Sequence, residues 1–296
     1  MARAHRPTES FGEHLAALYA AFPFDRSLAA DPVALVRPYA DRPRAAEIAG
    51  LLAATIAVGN TTSIRRAFRD VEDRVAGDLA GWVDGADGGR PTDRLRSFRH
   101  RWIRGEQLDY LAGTLRRIYG SYDSLESVFL EGHSSAGFPA GLDRLAREFR
   151  AGPSGGAPAP RGYARLFPTP LARPASPCKR MTLYLRWMVR PGYPDLGLWR
   201  RVPTGELRIP LDQHVYWIAY HLGLTRRRSR SWATVEEVTE SLRRIDPVDP
   251  IRFDFVLCHT GVSGDCPKRR TESICGRCLV RPDCLLWRPS ARRTAS

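Results

Sequence analysis

The hydrophobic positions of this chain fall mostly three and four residues apart. SFGEHLAALYAAF opens with Ser10 as an N-cap and Glu13 three residues on, then sets Leu15, Leu18 and Phe22 on one face, which predicts a helix over 10–22. A second predicted helix carries Glu47, Ile48, Leu51, Leu52, Thr55 and Ile56 and is expected to end at Gly59-Asn60, a C-cap pair. The same period predicts helices at about 62–79, 92–119, 123–131 and 139–150. CKRMTLYLRWMV then places Met181, Leu185 and Met188 on one stripe with Tyr184 beside it, and Pro177 marks its start. IPLDQHVYWIAYHLGL lines up Leu211, Val215, Ile218 and Leu222 and closes at Gly223. TVEEVTESLRRID predicts a further helix, and DPIRFDFVLCHTGVSG runs on into a cysteine-rich segment. No stretch alternates with period two for long, and no repeat recurs, so the expected class is all-α.

Composition divides this helical pattern. AGPSGGAPAPRG, residues 151–162, is too poor in large apolar groups to order itself and is expected to be a flexible loop. It separates an N-terminal helical region (1–150) from a second one (163–257), followed by the cysteine segment (258–284) and a basic tail (285–296) whose RPSARRTAS is expected to be disordered. No run of about 18 uninterrupted apolar residues occurs, and MARAHRPTESFGEHL contains nothing like a signal peptide, so a cytoplasmic protein without a membrane partner is expected.

Charge points to a partner. There are 46 Lys plus Arg against 32 Asp plus Glu, a net charge of +14, with Arg clustered in RRAFR (65–69) and RRRSR (226–230). Such an excess suits a polyanion, because each neutralised phosphate releases counterions. A high-GC genome, which enriches Arg throughout, is the alternative explanation, and the charge favours nucleic acid over it.

CPKRRTESICGRCLVRPDC brings together Cys266, Cys275, Cys278 and Cys284 as C-x8-C-x2-C-x5-C. In a reducing compartment four such thiols suit a metal, either zinc or an iron–sulfur cluster. Zinc sites usually pair two short C-x2-C knuckles; one short pair and two long spacings favour [4Fe-4S]. Cys178 and Cys258 lie outside the pattern and read as small buried hydrophobes, Cys258 being a poorer substitute ligand.

The cysteine pattern resembles the C-terminal [4Fe-4S] loop of the endonuclease III family, C-x6-C-x2-C-x5-C, with a first spacing two residues longer. Lys179 in SPCKRMTLYLRWMVR and Asp212 in IPLDQHVYWIAYHLGL sit where helix-hairpin-helix DNA glycosylases with lyase activity carry a catalytic Lys and Asp. With LRWMVR, DLGLW and AVGN, the chain resembles archaeal 8-oxoguanine DNA glycosylase and a bacterial family related to it, over about residues 10–284. The resemblance implies a two-lobed helix-hairpin-helix fold and a monomer acting on double-stranded DNA that contains a damaged base, in the nucleoid. Lys179 would attack C1′, expel an oxidised purine such as 8-oxoguanine and leave a Schiff base open to β-elimination, while Asp212 stabilises the developing positive charge. A lysine at a positive helix N-terminus is disposed towards the neutral amine that such attack needs. Read alone, Lys179 is an ordinary solvated lysine and Asp212 an N-cap.

An extruded base needs stacking and hydrogen-bonding partners, for which Asn60, Trp102, Trp187, Trp199 and His214 are candidates. Arg180, Arg186, Arg190, Arg226 and Arg227 are candidate backbone contacts, as are Lys268, Arg269 and Arg270, with Arg277 and Arg281 beside them in the cysteine loop. The chain departs from the family where a Leu-Pro-Gly-hydrophobic-Gly hairpin should precede Lys179. It reads TPLARPASPC there, so any phosphate grip at this point must be built differently. A noncatalytic iron–sulfur DNA-binding or damage-sensing protein is the rival reading, and a zinc-containing RNA-binding protein the third.

Overall fold

The computed structural model describes residues 9–88, 90–155, 157–172 and 176–287. Parts of the expected hairpin segment (173–175), of the Gly/Pro-rich stretch and of the basic tail lie outside the described residues. The chain divides into two compact units, one formed by Phe24–Glu206 and the other by Met1–Pro23 with Leu207–Ser296. Among the described residues both are helical, apart from one short hairpin. No described helix is long and apolar enough to cross a membrane.

The discontinuous unit begins with α1 (Glu9–Ala20). Ser10 is therefore inside the helix and does not cap it. The larger unit contains α2 (Phe24–Leu28), α3 (Val33–Val36), α4 (Pro43–Ile56), α5 (Thr61–Arg74) and α6 (Leu79–Asp84). Next come strands β1 (Arg99–His100) and β2 (Ile103–Arg104), then α7 (Gly105–Tyr119), α8 (Leu125–Ala136), α9 (Phe138–Ala151) and α10 (Lys179–Val189). The continuous helix expected over 92–119 is thus interrupted: Arg99 pairs with Arg104 and His100 with Ile103, and only the second half is helical.

Helix α4 is the axis of this unit, buried from Ala45 to Ile56. Its small residues let α10 approach closely; a Cβ added at Gly50 would stand 2.7 Å from Met188 Cε. Glu47, the charged group in this apolar face, accepts hydrogen bonds from Trp199 Nε1 (2.7 Å), Tyr119 Oη (3.0 Å) and Leu125 N (3.2 Å). The Gly/Pro-rich stretch after α9 is tied to α7, with Arg117 Nε donating to Gly152 O (2.6 Å), Tyr110 Oη to Ala157 O (3.2 Å) and Gln107 Nε2 to Arg161 O (2.9 Å).

The second unit resumes with α11 (Gln213–His221), α12 (Trp232–Arg243), α13 (Asp254–Val262) and α14 (Glu272–Cys275). Gly223, at φ +71°, closes α11 as its position suggested, and Leu224 N donates to Ala219 O (2.9 Å). The end of α1 and the residues just past it pack on the start of α13 through edge-on contacts of Tyr19 with Phe253 and of Phe22 with Phe255, each 6.0 Å between centroids.

Candidate functional site

The cysteine segment folds around α11. Cys266, Cys275, Cys278 and Cys284 line one cavity, whose apolar walls come from Leu18 of α1, Ile218 and Leu222 of α11, Leu257 of α13 and Val280. Burial, reinforced by repulsion between neighbouring thiols, pushes the Cys266 thiol up to about 12 and raises those of Cys278 and Cys284. Main-chain amides already face two of the sulfurs: Val280 N–H is directed at Cys278 and Leu286 N–H at Cys284, while Trp287 N donates to the Cys284 carbonyl (2.9 Å). Among the described residues, no three His, Cys, Asp or Glu groups are arranged to hold a single metal ion; the four thiols border one cavity.

The loop is clamped from outside. His14 Nδ1 of α1 lies 2.7 Å from the buried carboxylate of Asp283, the neighbour of Cys284. Arg270 and Arg281 lie against the Trp287 ring at 4.1 and 5.1 Å, and Arg281 Nη1 also donates to Gly276 O (2.6 Å). Lys268, Arg269, Arg270 and Arg277 are exposed on this surface, Arg270 pairing with Glu272. Two residues that sequence reasoning missed border or brace the loop, His221 and Trp287. A search for ligand spacing passes over both.

In the larger unit, Lys179 is the first residue of α10 and is half-buried. Cys178, in the N-cap position, takes a left-handed conformation (φ 51°) and is buried, as expected of a small hydrophobe, with burial pushing its thiol up to about 12. The next residue, Arg180, directs Nη2 to Arg165 O (2.5 Å) and Nη1 to Thr55 O (3.4 Å). Its guanidinium is sunk among these groups, and desolvation pulls its pKa down to about 10. It also lies 5.4 Å from the centroid of Trp102, a large aromatic 41% exposed at the tip of the β1–β2 hairpin. Arg101, the other turn residue, has φ 56° and packs against Gly59; a Cβ there would meet Arg101 Nη2 at 2.8 Å. Asn60 is the N-cap of α5, not the C-cap of α4, and its side-chain oxygen accepts from Ser63 N (2.8 Å).

In the discontinuous unit, Asp212 caps α11: Oδ1 accepts from Val215 N (2.8 Å), and Oδ2 faces Cys258 Sγ at 3.5 Å. Cys258 therefore has a polar neighbour and is not simply a buried hydrophobe. Half-buried His214 packs against α13, where a Cβ at Gly261 would come within 2.7 Å of His214 Cβ. Arg227 pairs with Glu237 (2.8 Å), while Arg226 is exposed.

Four further candidates are structural. Trp187 is fully buried, and Trp199 is buried with its indole N–H on Glu47, so neither reaches a ligand. Arg186 and Arg190 are buried against Asp195, at 3.1 Å each, which spends the charges expected to meet phosphates.

No curated protein and no solved structure matches the chain. A family model does match residues 31–263, taking in Lys179 and Asp212 and stopping short of Cys266. On that match the chain belongs to the family described as protein of unknown function (DUF2400).

Proposed function

We propose that the chain is a DNA glycosylase of base-excision repair with AP lyase activity, removing an oxidised purine such as 8-oxoguanine from duplex DNA. The observation that carries this reading is the setting of Lys179, a half-buried lysine at the first position of an 11-residue helix. A lysine amine held at such a fixed position is the kind of nucleophile that attack at C1′ requires. Asp212, with one oxygen held by the amide of Val215, is assigned the stabilising carboxylate. Trp102, exposed beneath a guanidinium, is the aromatic best disposed to meet a base.

A [4Fe-4S] cluster on Cys266, Cys275, Cys278 and Cys284 is part of the proposal. The donor set suits it: four thiols on an apolar cavity, with a main-chain N–H group directed at each of two sulfurs. Buried thiolates that repel one another need a cation, and a cluster supplies that charge while spreading its ligands over several irons. Its role is to fix the loop bearing Lys268, Arg269 and Arg270 against phosphates.

Borohydride trapping on duplexes carrying 8-oxoguanine or an abasic site tests the enzyme. A covalent adduct is expected with the native chain and none with Lys179→Gln. The rival noncatalytic reading draws on the TPLARPASPC segment and on the internal use of Arg186 and Arg190. Duplex binding without an adduct would establish it.

A further inference from the structure

One residue that lines the cysteine cavity carries a buried nitrogen with no structural explanation. His221 closes α11, and with Ile218 and Leu222 it forms the face that this helix turns to the cavity. Those two positions carry aliphatic side chains, as an apolar wall requires. His221 instead is 93% buried by its 7% relative exposure, and its Nε2 is buried without a hydrogen-bond partner. Buried imidazole nitrogens are normally paired, because desolvating one is costly.

The ring is held in place. Trp217 stacks on it, with centroids 6.0 Å apart and an interplanar angle of 23°. The backbone at the same residue accepts from Leu285 N (2.7 Å), joining the end of α11 to the chain just past Cys284. A side chain ordered this firmly, on the lining of the cavity and with a buried nitrogen that has no protein partner, fits a partner that occupies the cavity. The sulfurs of Cys278 and Cys284 already face main-chain donors of the loop itself, Val280 and Leu286. Helix α11 has no spare main-chain donor at its C-terminal end, so only a side chain can supply one from that wall.

We propose that His221 donates an Nε2–H hydrogen bond to a sulfur of the iron–sulfur cluster held by Cys266, Cys275, Cys278 and Cys284, and acts as a positioning and tuning residue without being a ligand. The assignment rests on the cluster reading above. An N–H···S bond withdraws electron density from sulfur and favours the reduced cluster, so its loss makes the reduction potential more negative.

The test uses the full chain purified anaerobically, with histidine labelled with 15N, beside His221→Leu and His221→Gln. Iron and sulfide content and visible absorption establish whether the native chain holds a cluster; their absence defeats the cluster reading and this assignment with it. With the cluster present, pulsed electron paramagnetic resonance of its reduced form should show weak coupling to one histidine 15N, which needs no variant to observe. That coupling should vanish in His221→Leu, whose potential in film voltammetry should be more negative at unchanged iron content. His221→Gln, which keeps an N–H, should recover part of the shift. A coupling strong enough for direct iron coordination overturns the donor role, as does an intact cluster with no histidine coupling or with an unchanged potential in His221→Leu.

Discussion

Glu47 shows what a periodic pattern can and cannot tell. Its place among Ile48, Leu51 and Leu52 was legible as one helical face, but the reason a carboxylate is tolerated there is Trp199, 152 residues away. Arg186 and Arg190 misled for the same reason: arginines are usually exposed, and the partner that buries them, Asp195, lies in a turn that no period identifies. Burial raises the pKa of Glu47, opposed by its hydrogen bonds from Leu125, Tyr119 and Trp199. A carboxyl whose folded pKa exceeds its unfolded one stabilises fully below the unfolded value, near pH 4.3, and loses that contribution as pH rises through the folded value. The native chain should therefore lose stability relative to Glu47→Gln as pH rises above the ordinary carboxylate range, as read by denaturant unfolding at a series of pH values. A constant gap would show that Glu47 ionises as readily inside the protein as outside.

At the scale of elements, most helices were legible because their stripes are long and end in recognisable punctuation, as at Pro177 and Gly223. The hairpin was not, since strands of two residues are too short to alternate, and the apolar Leu95, Phe98, Ile103 and Leu108 fit a helix as well. Asn60 was placed at the wrong end of its junction because Gly59 could end one helix while Asn60 opens the next. The hairpin that went unseen carries the exposed aromatic of this unit's candidate surface. Trp102→Ala should alter folding stability by less than about 0.5 kcal/mol, since its ring is largely a surface group. It should weaken duplex binding by roughly tenfold, within the range of about 1–3 kcal/mol for one stacked base. Unchanged affinity in a fluorescence anisotropy titration would remove Trp102 from the binding surface.

For the whole molecule, net charge was the clearest statement the sequence made about a partner, yet the structure divides the arginines sharply between uses. Arg117, Arg186 and Arg190 are taken up by buried or part-buried ion pairs, whereas Lys268, Arg269 and Arg277 face solvent around the cysteine loop. If that surface meets phosphates, duplex affinity should fall steeply with salt, by roughly a thousandfold between about 50 and 200 mM for some six contacts. Replacing Lys268 and Arg269 together by Ala should then flatten the log–log slope by roughly two. A slope unaffected by these changes would place the DNA on another face.

The discontinuous unit has a consequence for synthesis. On the ribosome Phe24–Glu206 emerges as an unbroken stretch and can complete its packing while translation continues. Helix α1 leaves the exit tunnel ahead of its partners and must wait for them; His14 meets Asp283 only after another 269 residues have been joined. Until then the apolar face of Phe11 and Leu15 has nothing of its own unit to cover it, so a helix made before Phe24–Glu206 is secured only after it.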